Sequence, residues 1–398
     1  MMISVLVTDG ENRAALAVTR SLGRKGCRVV VGGRAKSISS ASKYCAKAYN
    51  LPSPMMDEQQ YLHSVLNIVH DENIGVVFPM TEPTMHILSK NRHEFPKGVL
   101  IAAPEWDKIM IAYDKVEVFR LAGDLGVGIP STIFIHDRED FLAKEHLCTN
   151  FPVVVKPGMS RIHTGAGFIA AGVSYANSPE ELRACYEHSD ALNYPSMLQE
   201  KIIGPGTGLF TLFDRDRHLA LFSHRRLREK PPSGGVSVVS ESIPLDREMV
   251  DASARLLTSI GWAGVAMVEF KRDIRDGRPK LMEINGRFWG SLQLAIACGV
   301  DFPSLLLDYI RGERPDGPAG SYKSGHKLKW FLGTLDHLII RFKNDDASLN
   351  LPPGAPSKFR CLMDFLKIWE KDTSFDVIDR EDIRPFIREL RNYFRYND

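Results

Sequence analysis

Two glutamates stand near the ends of two short apolar runs, Val265-Ala266-Met267-Val268-Glu269-Phe270 and Lys280-Leu281-Met282-Glu283-Ile284-Asn285-Gly286-Arg287. Read as strands, the first puts Glu269 in phase with Val265 and Met267. The second puts Leu281, Glu283 and Asn285 on one face and Met282 and Ile284 on the other. The intervening Arg272-Asp273-Ile274-Arg275-Asp276-Gly277-Arg278-Pro279 has the composition of a turn, with Asp-Gly near its middle. A hairpin centred on Asp276 sets Glu269 opposite Glu283. Facing carboxylates repel each other. A hard cation between them reverses that sign, and Mg²⁺ takes such oxygens, usually in company with phosphate. The spacing therefore points to metal-phosphate chemistry.

Other residues suit the same chemistry. Lys156 closes the apolar run Phe151-Pro152-Val153-Val154-Val155-Lys156-Pro157 and precedes a polar loop over 158–167. A strand-end lysine is ordinarily a solvated surface residue. Here the loop Met159-Ser160-Arg161-Ile162-His163-Thr164 has no packing pattern, and Gly165 and Gly167 permit close backbone approach. Lysine and loop N–H groups together can hold phosphate; His163 is read as a loop residue rather than a base. Gln199-Glu200-Lys201-Ile202-Ile203-Gly204 leaves a strand into a glycine turn. Its backbone edge can pair with adenine, with Glu200 or Lys201 reaching an amino group or ring nitrogen. In a strand over 218–226, His218, Ala220, Phe222, His224 and Arg226 share a face that Arg228 continues. A guanidinium there suits phosphate or carboxylate; the competing reading is an exposed strand with snorkelling arginines. Pro231-Pro232-Ser233-Gly234-Gly235-Val236 reads as a mobile loop bordering a site.

These residues need a scaffold, and 398 residues allow two or three domains. A hydrophobic share of 44% and a charged share of 25% are those of a soluble globular protein. The net charge of +2 gives no broad attraction to nucleic acid or acidic membranes. Six scattered cysteines without a CxxC pair argue against a zinc site or disulfide framework and suit a reducing compartment. The chain enters a strand at once with no basic leader, and no apolar run approaches membrane-spanning length, so a cytoplasmic location is expected.

Strands over 3–7, 28–31, 75–78 and 99–102, with helices over 13–23 and 58–70, predict a βαβ layout with a parallel sheet. Ligands bind outside the carboxyl ends of such strands. The turns Thr8-Asp9-Gly10-Glu11-Asn12 and Pro79-Met80-Thr81-Glu82-Pro83 lie there, without a G-x-G-x-x-G fingerprint. They read equally as substrate loops or as capped turns. Beyond Trp106 a helix over 114–125 is followed by strands over 132–135, 151–157, 168–173 and 197–203. Ser178-Pro179-Glu180-Glu181 opens another helix. A hairpin joins 209–213 to 218–226 through Asp214-Arg215-Asp216, helices cover 291–298 and 303–310, and 314–320 reads as a linker. In the tail, Leu328, Phe331, Leu335, Leu338 and Phe342 form the stripe of one helix; a second surrounds Phe365 and Trp369, and a third lies near 391–396. Packing onto the body is favoured over a membrane anchor.

Taken in order, Asp114-Lys115, Val155-Lys156-Pro157 with its glycine loop, Gln199-Glu200-Lys201-Ile202-Ile203-Gly204, Val268-Glu269-Phe270 and Met282-Glu283-Ile284-Asn285-Gly286-Arg287 resemble the ATP-grasp superfamily over residues 3–312. The nearest likeness is its carboligase-like, carbamoyl-phosphate-synthase-like branch, through His224-Arg225-Arg226-Leu227-Arg228-Glu229 and Gly286-Arg287-Phe288-Trp289-Gly290-Ser291. The resemblance implies an α/β and α+β architecture: a Rossmann-like pre-ATP-grasp domain over 1–105, then a two-lobed ATP-grasp fold. Its lid would span 106–205 and its metal-bearing lobe 206–320, with a helical C-terminal extension over 321–398.

The resemblance also implies roles. Lys115 and Lys156 would contact ATP phosphates, Lys156 also lying near adenine, under a loop carrying Ser160, Gly165 and Gly167. Glu200, Lys201, Ile202 and Ile203 would hold adenine, and Glu269, Glu283 and Asn285 would hold Mg²⁺ or Mn²⁺. Arg287 would grip the substrate carboxylate or the transferring phosphoryl group, with Arg226 as a second catalytic arginine. Where many members place an acidic ribose ligand, this chain has Gly206-Thr207-Gly208. The implied reaction joins a small-molecule carboxylate to an amine through an acylphosphate, releasing ADP and phosphate, with a homodimer entertained. The rivals are carboxylation or carbamoyl-phosphate-type chemistry on bicarbonate, and a regulatory nucleotide-binding module without turnover.

Overall fold

The computed structural model describes residues 2–164, 167–313, 321–346, 348–349, 351, 354–367 and 370–395. The first hundred residues fold as a parallel sheet in the spatial order Cys45–Asn50, Arg28–Gly33, Ser4–Val7, Val76–Phe78, Leu100–Ile101. Helices Arg13–Arg24, Glu58–Asp71 and Glu82–Lys90 connect them. The order reverses beside Ser4–Val7, where such sheets open a crevice. The edge strand Cys45–Asn50 has no counterpart among the expected elements, because its exposed side chains follow no apolar alternation. Glu82 and Pro83, expected in a turn, instead begin a helix with proline in its first turn.

Asp9 decides between the two readings of the loops above this sheet. Its carboxylate accepts from Thr8 Oγ1 (2.6 Å), Thr84 Oγ1 (2.7 Å), Thr81 Oγ1 (3.1 Å) and Met80 N (3.2 Å). Burial nonetheless raises its pKa. The two loops are thus knitted into capped turns, although Glu82 and Pro83 still border a cavity described below.

A four-stranded antiparallel sheet follows, ordered Ser174–Ala176, Val153–Pro157, Ser196–Glu200, Thr132–Ile135. Arg138–Lys144 and Pro179–Glu187 bury Phe141, Leu182 and Tyr186 against one of its faces. The expected loop over 158–167 is instead a hairpin, Arg161–Thr164 paired with Gly167–Ala170; Gly165 lies outside the described residues. The expected strand over 168–173 ends early, at Ala170 of Gly167–Ala170; the next strand, Ser174–Ala176, belongs to a different sheet.

The largest sheet has seven strands, ordered Pro279–Asn285, Ala263–Arg272, Gly206–Asp214, Arg217–Lys230, Val236–Ser242, Lys327–Lys329, Thr373–Phe375. Helix Arg247–Ile260 covers one face through Met249, Leu256 and Leu257. On the other, Leu292–Ala297 and Phe302–Ile310 share a core with the first domain, in which Trp289 and Phe302 pack with Leu22 and Val29. Burial of such aromatic and branched side chains supplies the main drive for holding the two sheets together.

The tail departs from its expected stripe. Leu328 belongs to the sixth strand of the large sheet, and helix Phe331–Lys343 buries Leu332, Thr334, His337 and Arg341 while Phe342 is exposed. Trp369 and Tyr396 lie outside the described residues. The last helices, Lys358–Leu366 and Arg384–Arg395, flank a segment bound to the first domain by ion pairs. Arg20 is fully buried and donates Nε to Asp382 Oδ2 (3.0 Å) and Nη2 to the carbonyls of Asp382 (2.8 Å) and Val377 (2.9 Å). Removing one partner of a buried pair strands the other charge, a cost of about 3–5 kcal/mol. Arg20→Ala is therefore expected to lower unfolding free energy by roughly that amount. Urea titration checks this, and a loss below about 1 kcal/mol would show the tie to be dispensable.

Candidate functional site

The hairpin Ala263–Arg272/Pro279–Asn285 pairs Glu269 with Glu283, as its spacing anticipates. The register slips once, between Glu269 and Phe270, because Met282 is an extra residue with no partner. The expected alternation on this strand is therefore wrong at one point. Leu281 joins Ile284 in the core, while the bulge turns Met282 and Glu283 together into a cavity of about 550 Å³. The bulge is what aims the glutamate.

Beyond Glu283 the chain forms a polar relay. Asn285 Nδ2 donates to Glu283 Oε1 (2.7 Å), and Arg287 Nη2 donates to Asn285 Oδ1 (3.3 Å). Arg287 also donates Nη1 to the carbonyl of Phe288 (3.2 Å). Gly286 makes this possible, since a Cβ there would sit 2.2 Å from the ring of the buried Trp262. Gly286→Ala is thus expected to displace Asn285 and Arg287 while the sheet stays folded. Trp262 fluorescence would report the altered packing alongside lost nucleotide turnover; normal turnover would contradict the close fit.

Arg226 reaches the same carboxylates from the third strand over. Its guanidinium pairs with Glu269, and its other nitrogen lies 2.9 Å from Glu229 Oε1. Burial raises the pKa of Glu269 to about 7; Arg226 opposes this, and Glu283 and Glu229 add to it. Burial also acts to raise Glu283, but Lys115, the Asn285 hydrogen bond, Arg287 and Arg226 outweigh it and the net shift is downward. One facing glutamate is thus held ionised and the other poised near neutrality, with a guanidinium balancing them. A divalent cation is the natural replacement for that guanidinium, and the donor set of two carboxylates and a carboxamide oxygen is the oxygen-rich kind Mg²⁺ takes.

Across the cavity, Lys156 projects from Val153–Pro157, its Nζ 5.5 Å from the Phe119 ring centre. Burial lowers its pKa to about 8, against the pull of Glu283 and with help from Lys271 and Lys115. Lys115 begins helix Lys115–Asp124, which Asp114 caps by accepting from Glu117 N. Its Nζ donates to Ser160 Oγ at 2.7 Å. Residues 200–203 close the far end. Glu200 is occupied by Ser131 N (3.0 Å) and Arg275 (2.9 Å), and Lys201 lies over the Tyr175 ring. Ile202 is buried and Ile203 exposed. The carbonyl of Ile203 accepts from Ile274 N (3.0 Å), while the N–H groups of Lys201, Ile202 and Ile203 have no backbone partner among the described residues. Such an unpaired edge beside an apolar wall can take a planar heterocycle.

The cavity thus brings together Lys115, Lys156, residues 200–203, Arg226, Glu269 and Glu283. Asn285, Arg287 and Ser160 adjoin it without lining it, and Gly167 opens the second strand of the hairpin. His218 and His224 take no part. A register shift at Leu212/Phe213 throws His218 off the expected face, onto Thr211 (2.8 Å). His224 is a core residue stacked on Phe210, bonded to Ser291 (2.7 Å) and kept neutral by burial. Sequence reasoning missed Lys271, although it is in phase with Glu269, and Glu229, because Arg217–Lys230 runs longer than expected. It also missed His337 and Arg341 of the tail helix.

Comparison with known proteins bears on the fold that carries this cavity. Residues 222–331 match the family model described as ATP-grasp in the biosynthetic pathway with Ter operon, and residues 5–102 match the PylC-like N-terminal domain. A search of curated proteins found no match. Among solved structures, the L-amino acid ligase from Bacillus licheniformis is similar with a TM-score of 0.61 and 17% identity, over 82% of this chain and 78% of that one. The N5-carboxyaminoimidazole synthetase from Staphylococcus aureus gives 0.62 and 14%, over 82% of each. A biotin carboxylase from Campylobacter jejuni, in complex with β-γ-ATP, gives 0.63 and 14%, over 82% and 74%. The expected fold, a Rossmann-like domain joined to a two-lobed ATP-grasp unit with a helical tail, is the one found. No helix among the described residues is long and apolar enough to cross a membrane.

Proposed function

We propose that this chain, whose fold is that of the ATP-grasp proteins, is an ATP-dependent ligase that joins a small carboxylate to an amine. The observation that carries the reading is the facing pair Glu269 and Glu283, tied to Asn285 and set opposite Lys156 and Lys115 in one cavity. Glu269, Glu283 and Asn285 would hold Mg²⁺ or Mn²⁺. The bound cation would neutralise phosphate charge as the γ-phosphoryl group moves.

The chain's own residues would then divide the work. Lys201–Ile203 would hold adenine by backbone, and Lys156 and Lys115 with Ser160 would hold the phosphates. With Glu269 serving as a metal ligand, Arg226 would be free to bind an anion. Arg287, fixed by Asn285 and the Phe288 carbonyl, would orient the substrate carboxylate. Its oxygen attacks the γ-phosphorus, the bond to ADP breaks, and an acylphosphate forms. The amine then attacks the acyl carbon and phosphate leaves. No side-chain nucleophile is required, because positioning and charge balance supply the catalysis.

A second cavity of about 260 Å³ favours an organic acceptor over bicarbonate. Met55, Ile87, Trp106, Met110, Tyr113 and Met159 wall it, with Glu58, Glu82, Lys90 and Arg161 among its polar residues. Tyr113 of this wall is within electrostatic reach of Arg287: burial pushes its hydroxyl pKa well up, Glu82 adds to that and Arg287 opposes it. A bicarbonate site has no use for such an apolar wall, whereas an amine with an apolar side chain does. The carboxylate would lie at the Arg287 end and the amine toward Glu82. The cytoplasm, with its ATP and reduced thiols, is the proposed compartment, and nothing in the reading requires nucleic acid; any self-association would be a homodimer.

The site has a pH window. Glu269, at about 7, is protonated as pH falls below that value, so cation binding weakens on the acid side. Lys156, at about 8, loses its charge as pH rises above that value, so phosphate binding weakens on the alkaline side. MgADP affinity is expected to peak between the two, and ADP without metal to keep only the alkaline limb. Calorimetric titration across the range checks this. An alkaline limb that persists in Lys156→Arg would assign it to another group.

A further inference from the structure

The tail helix Phe331–Lys343 lies against strand Arg217–Lys230 and reaches the nucleotide cavity. Two carboxylates of the extension neutralise basic residues of that strand: Asp364 pairs with Arg228 and Asp336 with Lys230. His337 hydrogen-bonds through Nδ1 to the Glu229 carbonyl (2.6 Å), which pins the helix to the strand's end.

One turn further on, Arg341 lines the same cavity and is only 1% exposed. Its ion-pair partner among the described residues is Asp346, with both oxygens 3.2 Å from Nη2. Asp346 is itself more than half exposed to water. Arg341 Nε has no hydrogen-bond partner among the described residues. A guanidinium carries five donors and stays charged when buried, so this one is short of acceptors. Its surroundings deepen the shortage: among the described residues, six other lysines and arginines line the cavity against four glutamates. A buried, under-satisfied cation in a cationic wall is the arrangement that an anionic ligand completes.

We propose that Arg341 is a nucleotide-binding residue that takes a phosphate oxygen of the bound nucleoside polyphosphate from the side of the C-terminal extension. The inference rests on the nucleotide reading of the cavity. It gives the tail helix a reason to bury a polar face where apolar residues were available. The extension then becomes a wall of the binding site rather than a packing appendage.

Calorimetric titration of the full-length protein with MgADP and with adenosine tests the assignment. In Arg341→Gln, ADP affinity is expected to fall about ten- to hundredfold, the worth of one or two charge-assisted hydrogen bonds. Adenosine affinity should be unchanged, and Arg341→Lys should recover part of the loss. Asp346→Asn keeps the guanidinium and removes its competitor, so it should leave ADP affinity equal or raise it. If the Arg341–Asp346 pair served only to hold the fold, Asp346→Asn would weaken ADP binding as Arg341→Gln does, and the proposal would be overturned. Equal loss for adenosine and ADP, or no loss for ADP in folded Arg341→Gln, would overturn it too. Wild-type protein that binds no ADP would instead overturn the nucleotide reading itself.

Discussion

Glu283→Gln is expected to lower carboxylate-dependent ADP formation roughly a thousandfold, the scale of several kcal/mol of lost charge stabilisation. The substitution keeps the size of the side chain and its reach to Asn285, so the hairpin should fold unchanged. What it removes is the ionised member of the facing pair, which Lys115, Asn285, Arg287 and Arg226 together keep below the ordinary glutamate range. Without it, Glu269 alone faces the phosphates, still paired with Arg226. Metal dependence should change with the rate: the mutant would need far more Mg²⁺ or Mn²⁺ for residual turnover. Steady-state ADP release against metal concentration, with circular dichroism as the fold control, checks the expectation. Turnover near the wild-type rate in a folded mutant would remove Glu283 from the metal site.

Arg287→Ala should give a comparable loss with a different signature. Arg287 stands outside the cavity proposed for the nucleotide, anchored by Asn285 Oδ1 and the Phe288 carbonyl. A cation placed there meets the transferred group and the substrate rather than adenine or ribose. An arginine stabilising charge in phosphoryl transfer contributes about 10³-fold or more to kcat. The KM for ATP should stay within about threefold of wild type, because the nucleotide contacts remain intact. Arg287→Lys should recover little, since an ammonium cannot reproduce the two-pronged geometry. A mutant that lost ATP affinity while keeping kcat would place Arg287 on the nucleotide instead.

Much of the scaffold was legible because its elements carry strong local signals. Helices Arg13–Arg24 and Glu58–Asp71 show clear apolar periodicity, and the facing of Glu269 and Glu283 follows from one turn-centred hairpin. The site was legible where strand parity runs unbroken, as from Val265 to Glu269. It was misread where parity fails. The Met282 bulge puts Leu281 on the face opposite Glu283, and the shift at Leu212/Phe213 removes His218 from its expected row. Bulges carry no compositional mark in these segments, so alternation alone cannot place them.

The tail was misread for a different reason. Its apolar stripe is real, but the helix buries the adjoining face, where Thr334, His337 and Arg341 recur at helical spacing. Polar residues gain from that face only because Glu229, Asp346 and the cavity supply partners, and a local pattern does not show them. The loop over 158–167 is similar: Arg161–Thr164, the first strand of its hairpin, is polar and shows no apolar alternation. Local pattern reports burial of apolar surface; it does not report which polar groups a tertiary cavity will satisfy.

In the proposed reaction a carboxylate is activated by phosphoryl transfer and then captured by an amine. Pairwise screening of small carboxylates and amino acids for ADP release identifies a working pair, and oxygen-18 in its carboxylate then tests the claim directly. Attack of that oxygen on the γ-phosphorus, followed by amine displacement, must carry one labelled oxygen into each phosphate released. Phosphate that emerges unlabelled while the amide product accumulates would contradict the acylphosphate route.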